Sequence, residues 1–267
     1  CMDVYMCHES ELCFQSINLK KCNRVIYSVE CENSYNIAFS KNLRNCHDCF
    51  GCFNLRNKAY HIFNKPYSKE EYESEVRKFN TASYAEVRKL IEYFEKEDRS
   101  YPKLYMEGAQ NVNVSGNYLY ESKNANVCFE ATGIEDSKYC QFCHLKPTRD
   151  SYDMTFWGGG ARFIYDCMGA GGGQNNIKFS IDTWAEAMNI EYSYHIVAPN
   201  NNLFGCIGLK NKEYCILNKQ YSKDEYDDMV SRIKKQMMEV PYSDKKGRTY
   251  RYGEFFSSEL TTFAYNT

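Results

Sequence analysis

The sequence predicts a mainly β protein with α-helical caps, built as a β-solenoid (a parallel β-helix) with short coils of about 12 residues. Two observations support this prediction. A small residue followed three positions later by an apolar residue recurs about every 12 residues, and a longer block of sequence occurs twice. A 12-residue unit is too short for the helical repeats, and it suits one turn of a β-helix whose strands stack about 4.8 Å apart.

The first run of units is ungapped. From Met6 to Lys65 the chain divides into five consecutive 12-residue units. The small position holds Ser10, Cys22, Ser34, Cys46 and Lys58, and the apolar position holds Cys13, Val25, Ile37, Cys49 and His61. Small side chains suit a narrow interior, and the Asn or Asp that often precedes them suits a corner of the backbone. Ordinary antiparallel strands with turns about every 10 to 14 residues, as in a sandwich, are the alternative.

The pattern returns with looser spacing after a helical segment. We assign its small positions to Ser115, Ala125, Ser137, Ser151, Cys167, Ser180, Ser193 and finally Lys212. Residues 50–76 and 204–230 are identical at 16 of 27 positions. This duplication predicts two blocks of one design, in which solenoid coils are followed by a helix.

The predicted boundaries follow from these patterns. A first solenoid segment covers 1–66, a helical insertion 67–107, a second solenoid segment 108–220, a capping helix 221–241 and an irregular C-terminal tail 242–267. Ser68 with Glu71, and Ser222 with Glu225, have the spacing of a capping box at a helix start. Each helix is expected to cover the raw end of a solenoid block, with recognition of a partner as the alternative.

Composition narrows the functional classes. The net charge of −2 argues against a nucleic-acid-binding protein, which needs a basic face. The sequence contains no run of 18 apolar residues that could span a membrane, and it shows no export signal. A cytoplasmic location is therefore expected. The 14 cysteines then fit small hydrophobic residues of a reduced core better than a disulfide framework.

One cysteine cluster is a candidate metal site. Cys46, His47, Cys49 and Cys52 could supply four ligands to zinc, although no cofactor is required by any other feature. The competing interpretation is that residues three apart all face the solenoid interior, so that these thiols fill the core.

A glycine-rich segment is a candidate ligand loop. Trp157, Gly158, Gly159 and Gly160, together with Trp184, lack the pattern of a phosphate-binding loop. Their aromatic character suits a sugar or a peptide, so the predicted partner is a carbohydrate or a protein.

Two resemblances add context. The Ser-x-x-Cys spacing, as in Ser10 to Cys13 and Ser137 to Cys140, resembles the coil of insect β-helix antifreeze proteins, which implies the coil geometry only. The NLRNK-x-Y-x-I-x-NK-x-YSK-x-EY block and YGEFF at 252–256 resemble uncharacterised cysteine-rich repeat proteins of metagenomic bacteria. That family implies no activity.

These observations favour a non-catalytic scaffold or binding module that presents an aromatic and charged surface. A cysteine-ligated zinc protein is the first alternative, and a carbohydrate-active β-helix enzyme with carboxylates from different coils is the second.

Overall fold

The computed structural model describes residues 1–184, 186–244 and 247–254. The chain is mainly β, with three helices and sheets that are rich in parallel pairs. It divides into two units, Cys1–Lys103 and Leu104–Thr267. None of the helices in the described ranges is long and apolar enough to cross a membrane.

The first unit contains one eight-stranded sheet and two helices. Its strands are β1 (Met2–His8), β2 (Phe14–Lys20), β3 (Asn23–Ile26), β4 (Val29–Glu32), β5 (Tyr35–Ala38), β6 (His47–Phe50), β7 (Ala59–Ile62) and β8 (Lys65–Pro66). The helices are α1 (Lys69–Val76) and α2 (Tyr84–Asp98). All the pairs are parallel except β7 with β8, where the chain turns back on itself.

The second unit contains a 15-stranded sheet, a helix and a two-stranded hairpin. The sheet comprises β9 (Gly108–Ala109), β10 (Gly116–Tyr120), β11 (Lys123–Asn126), β12 (Cys128–Thr132), β13 (Ile134–Lys138), β14 (Gln141–Leu145), β15 (Thr148–Arg149), β16 (Ser151–Gly158), β17 (Arg162–Gly171), β18 (Asn175–Thr183), β19 (Met188–Glu191), β20 (Tyr194–Ile196), β21 (Asn201–Phe204), β22 (Glu213–Ile216) and β23 (Lys219–Gln220). Helix α3 (Lys223–Glu239) and the hairpin of β24 (Tyr242–Ser243) and β25 (Thr249–Tyr250) follow.

The register of the parallel pairs measures the length of each repeat. In the first unit every parallel partner lies one predicted repeat further along the chain, as in Tyr35 with His47. In the second unit the offset is one residue longer over several strands, so that Ser151 pairs with Ile164 and Met154 pairs with Cys167. The predicted small positions Ser151 and Cys167 are therefore out of register with each other, since Cys167 lies beside the apolar Met154 on one strand and beside the small position Ser180 on the next.

A three-residue period within each repeat explains that slip. From Asp3 onward, every third residue of the first sheet has a positive φ near 50°, whatever its type, including Tyr27 and Phe39. The residue after each of them is mostly buried, as Ser28 and Ser40 are. Four such segments make up one repeat, so the small-x-x-apolar pattern can be aligned three positions out of place.

The left-handed backbone is disfavoured for non-glycine residues by about 1–2 kcal/mol each, and Asn and Asp tolerate it best. Several of these positions carry amide or carboxylate side chains that bond to the equivalent side chain of the next repeat. Asn42 donates to Asn54 at 2.7 Å, and Asn45 donates to Asn57 at 3.0 Å. These ladders join neighbouring repeats along the outside.

The small inward residues have a specific role in holding the repeats together. The hydroxyl of Ser16 accepts the backbone N–H of Ser28 at 3.2 Å, and Ser28 in turn accepts the N–H of Ser40 at 3.1 Å. Ser40 accepts the N–H of Cys52 at 3.0 Å. These hydroxyls therefore satisfy buried backbone donors that would otherwise lack an acceptor.

Helices α1 and α3 begin where the sequence predicts. Ser68 and Ser222 are the N-caps of α1 and α3, and both capping boxes with Glu71 and Glu225 are present. Helices α1 and α2 form a hydrophobic cluster with outward side chains of the first sheet, and α3 does so in the second unit. The buried members are Phe39, Phe50, Ile62, Tyr72 and Val87 in the first unit, and Phe204, Ile216 and Tyr226 in the second.

The described part of the C-terminal tail docks on the second unit. The hydroxyl of Tyr252 donates to Glu191 at 2.8 Å, and its ring lies 5.6 Å from Phe179. Glu191 also pairs with Lys234 of α3 at 2.7 Å. The rest of the predicted tail, 255–267, lies outside the described residues. This range includes Phe255 and Phe256 of the YGEFF motif.

Candidate functional site

The predicted zinc ligands do not converge on one point. Cys46, Cys49 and Cys52 are buried, and each thiol donates to the carbonyl oxygen two residues before it, at 3.3 to 3.4 Å. The ring of His47 instead stacks on Tyr35 with 4.8 Å between centroids. Among the described residues, none of these four belongs to a group of three ligand atoms within 4.8 Å of one another.

The pKa values of the interior cysteines are shifted in both directions. A hydrogen bond with the Cys49 thiol, and then burial, raise the pKa of Cys46. Burial raises the pKa of Cys167 to about 12 in the second unit. A hydrogen bond with the Cys49 thiol instead lowers the pKa of Cys52. Burial and the hydrogen bonds to carbonyl oxygens, not a shared protonation state, therefore mark these thiols as small core residues.

A different cysteine group has the geometry that could hold a metal ion. The sulfur atoms of Cys1, Cys7 and Cys13 all lie within 4.8 Å of one another. Cys1 is exposed, Cys7 is partly buried and Cys13 is buried. Sequence spacing did not identify this group, because Cys1 and Cys13 come together only when successive repeats stack.

The predicted ligand loop brings both tryptophans of the chain together. The rings of Trp157 and Trp184 have centroids 5.0 Å apart and an interplanar angle of 72°. Trp157 is 46% exposed. A Cβ on Gly171 would lie only 3.1 Å from the Cβ of Trp157, so the glycine leaves room for this side chain.

The three glycines of the predicted loop have structural roles beside Trp157. Gly158 ends β16 and pairs with Gly171. The N–H of Gly159 donates to the hydroxyl of Thr148 at 3.2 Å, and the N–H of Gly160 donates to the carbonyl oxygen of Pro147. A Cβ on Gly158 would collide with the Thr148 hydroxyl at 2.0 Å, so this strand end requires glycine. The glycines therefore hold the backbone that carries Trp157.

Two polar side chains that were not predicted adjoin the tryptophans. The indole N–H of Trp184 donates to Oδ1 of Asp182, and Nδ1 of His195 lies 2.5 Å from Oδ2 of the same carboxylate. The side chain of His195 is 52% exposed, and that of Asp182 is 31% exposed. The spacing of one lengthened repeat between them is the signal that could have identified the pair. We name Trp157, Trp184, Asp182 and His195 the tryptophan patch.

A pair of carboxylates lies elsewhere on the second unit. Asp153 lies opposite Asp166, because the residues on either side of them pair in register. Burial, and then the charge of Asp153, raise the pKa of Asp166. Burial also raises the pKa of Asp153.

Comparison with known proteins identifies no family. No family model matches the chain, and no curated protein matches its sequence. One solved structure with weak similarity is a protein from Desulfovibrio desulfuricans G20 described as a "putative acetyltransferase", with 12% identity and a TM-score of 0.15. The match covers 88% of this chain and 56% of that chain, so the chain spans little more than half of its length. The similarity carries no argument about fold or activity.

Proposed function

We propose that the parallel repeats are successive coils of a β-solenoid and that the chain is a non-catalytic binding module. The constant register offset of one repeat in the first unit supports the coil interpretation, since each turn then returns to the same side. The two interior clusters of buried side chains also support it, one in each unit. On this view the outward positions are free to carry recognition residues.

The ligand that we propose is a carbohydrate bound at the tryptophan patch. The observation that carries this proposal is the exposed Trp157 ring beside Trp184, whose indole N–H donates to the carboxylate of Asp182. Aromatic rings pack well against the apolar faces of sugar rings, while carboxylate and imidazole groups bond to hydroxyls. Asp182 is already oriented by Trp184 and His195, which lowers the cost of fixing it on binding.

The chain offers a direct measurement of this site, because its only two tryptophans are both in the patch. Titration with a panel of soluble polysaccharides, including a β-glucan, a xylan and a mannan, is expected to change the intrinsic fluorescence in a saturable way. Replacing Trp184 by alanine is expected to weaken binding at least about 10-fold, measured by affinity electrophoresis, because stacking area and the orientation of Asp182 are both lost.

Phe129→Ala is the matched control, since Phe129 is also an exposed aromatic residue of the second unit. It is expected to bind like the unmodified chain. Unchanged fluorescence with every polysaccharide, or equal retardation of Trp184→Ala and the unmodified chain, would contradict the proposal. Binding of an unstructured peptide in its place would assign the patch to a protein ligand.

A carbohydrate-active enzyme is the second candidate, and the Asp153–Asp166 pair is the observation that favours it. Two neighbouring carboxylates with raised pKa values are the arrangement from which glycosidases obtain a general acid. Under this alternative, Asp166→Asn abolishes the release of reducing ends while tryptophan fluorescence still reports binding. Asp227→Asn, an exposed carboxylate of α3, is the control. No hydrolysis by the unmodified chain leaves the binding module as the function.

A further inference from the structure

The thiol group of Cys1, Cys7 and Cys13 lies at the first strand of the first sheet. Strand β1 has β2 as its partner and ends the sheet, and Cys7 of β1 lies opposite Leu19 of β2. Leu19 and Cys13 are 1% and 2% exposed. The three sulfur atoms therefore lie next to buried apolar side chains on one side. On the other side, the exposed Cys1 gives access from solvent.

The spacing of these sulfur atoms matches a three-coordinate site. Three thiolates about 2.3 Å from a central ion lie about 4.0 Å apart when the ion is in their plane. The sulfur atoms of Cys7 and Cys1 are 3.9 Å apart, and all three lie within 4.8 Å. Small movements of the side chains are enough to place all three at bonding distance.

The present hydrogen bonds of the sulfur atoms are weak, so bonds to a metal ion can replace them. The Cys1 thiol donates to the carbonyl oxygen of Ser10 at 3.4 Å, and the Cys13 thiol donates to that of Glu11 at 3.2 Å. Loss of these protons frees each sulfur to act as a ligand. By contrast, the interior thiols of Cys46, Cys49 and Cys52 are closed off from solvent.

We propose that Cys1, Cys7 and Cys13 form a binding site for a soft closed-shell cation, held by three thiolates with one position open to solvent. Soft thiolate ligands select copper(I) and zinc over the hard cations, which prefer oxygen. Binding replaces three S–H bonds by three metal–sulfur bonds and releases three protons, with no change of oxidation state. This site is independent of the tryptophan patch.

The experiment uses the full chain, reduced and held free of oxygen, titrated separately with copper(I) and with Zn²⁺. One ion per chain is expected by elemental analysis, and alkylation followed by mass spectrometry is expected to find Cys1, Cys7 and Cys13 protected in the loaded protein. Cys7→Ser is expected to lower the affinity about 100-fold or more, because two thiolates remain. The ion that binds more tightly, copper(I) or Zn²⁺, is then assigned as the metal of this site.

Cys31→Ser is the matched control. Cys31 occupies the same register column as Cys7 and Leu19, two repeats further along, and is buried. Its replacement is expected to leave the affinity unchanged. Exposed Cys1→Ser is a second loss variant whose folding does not depend on core packing, and circular dichroism checks that each variant retains its structure.

A pH series adds an independent measurement. Each of the three sulfur atoms must lose its proton to bind the metal, so protons compete with the metal for the site. Affinity is therefore expected to increase as the pH rises from about 6 to about 8. Equal binding by Cys7→Ser, protection of Cys46, Cys49 and Cys52 in place of the predicted three, or a Cys1–Cys7 disulfide that persists in reductant would overturn the proposal.

Discussion

Replacing Phe50 by alanine is expected to lower the free energy of unfolding by about 3–5 kcal/mol, the range for a buried aromatic residue. Phe50 is 2% exposed, and its ring stacks on Phe79 with 4.5 Å between centroids. It also contacts Phe39 and Phe63, at 5.4 and 6.0 Å. The truncated side chain would leave a cavity between the sheet and the segment that joins α1 to α2.

Urea denaturation followed by circular dichroism measures this effect. Phe163→Ala is the control, because Phe163 is 61% exposed and its loss is expected to cost little. A further readout is amide hydrogen exchange in α1 and α2, which is expected to increase in Phe50→Ala. Equal stability of the two variants would show that the helices do not depend on this aromatic cluster.

Replacing Ser28 by alanine is expected to lower the free energy of unfolding by about 1–3 kcal/mol, although alanine is smaller and less polar. Ser28 is fully buried, and its hydroxyl accepts the N–H of Ser40 at 3.1 Å. Alanine leaves that backbone donor buried without an acceptor. The carbonyl oxygen of Ile26, which accepts the Ser28 hydroxyl, keeps a second donor in the N–H of Phe39. The cost therefore comes from the Ser40 N–H.

Two further substitutions test this explanation by the same urea measurement. Ser28→Cys is expected to cost less than Ser28→Ala, since a sulfur atom accepts the equivalent bond elsewhere: the N–H of Asn64 donates to Cys52 at 3.4 Å. Ser74→Ala, at an exposed position of α1, is expected to change stability by a few tenths of a kcal/mol or less. A Ser28→Ala variant as stable as Ser74→Ala would remove the role that we assign to the inward hydroxyl.

Much of the architecture follows from local patterns. The regular spacing of the repeat predicted the pairing of Val25 with Ile37 and of Ile37 with Cys49, and both pairs are present. The capping boxes at Ser68 and Ser222 were predicted because their hydrogen bonds join residues three apart. The preference for Ser and Cys at inward positions was visible, whereas its reason, a hydrogen bond to the next repeat, was not.

The candidate sites show where local patterns stop. Trp157 and Trp184 were predicted to belong to one ligand loop, but their ring contact spans two repeats and depends on the small Gly171 between them. Asp182 and His195 meet only because the repeat in this region is one residue longer than in the first unit. The polar part of the tryptophan patch was therefore missed, because the sequence did not reveal the repeat length in this region.

The sequence by itself therefore determined a mainly β chain, the starts of α1 and α3 and the burial of most cysteines, because those features rest on neighbours within a few residues. Only the tertiary structure decided the register of the second unit, since every third residue faces inward and a slip of three positions preserves the pattern. It also moved the candidate metal site from Cys46, Cys49 and Cys52 to Cys1, Cys7 and Cys13. The sulfur atoms of the second group come together because successive repeats stack, not because of their spacing along the chain.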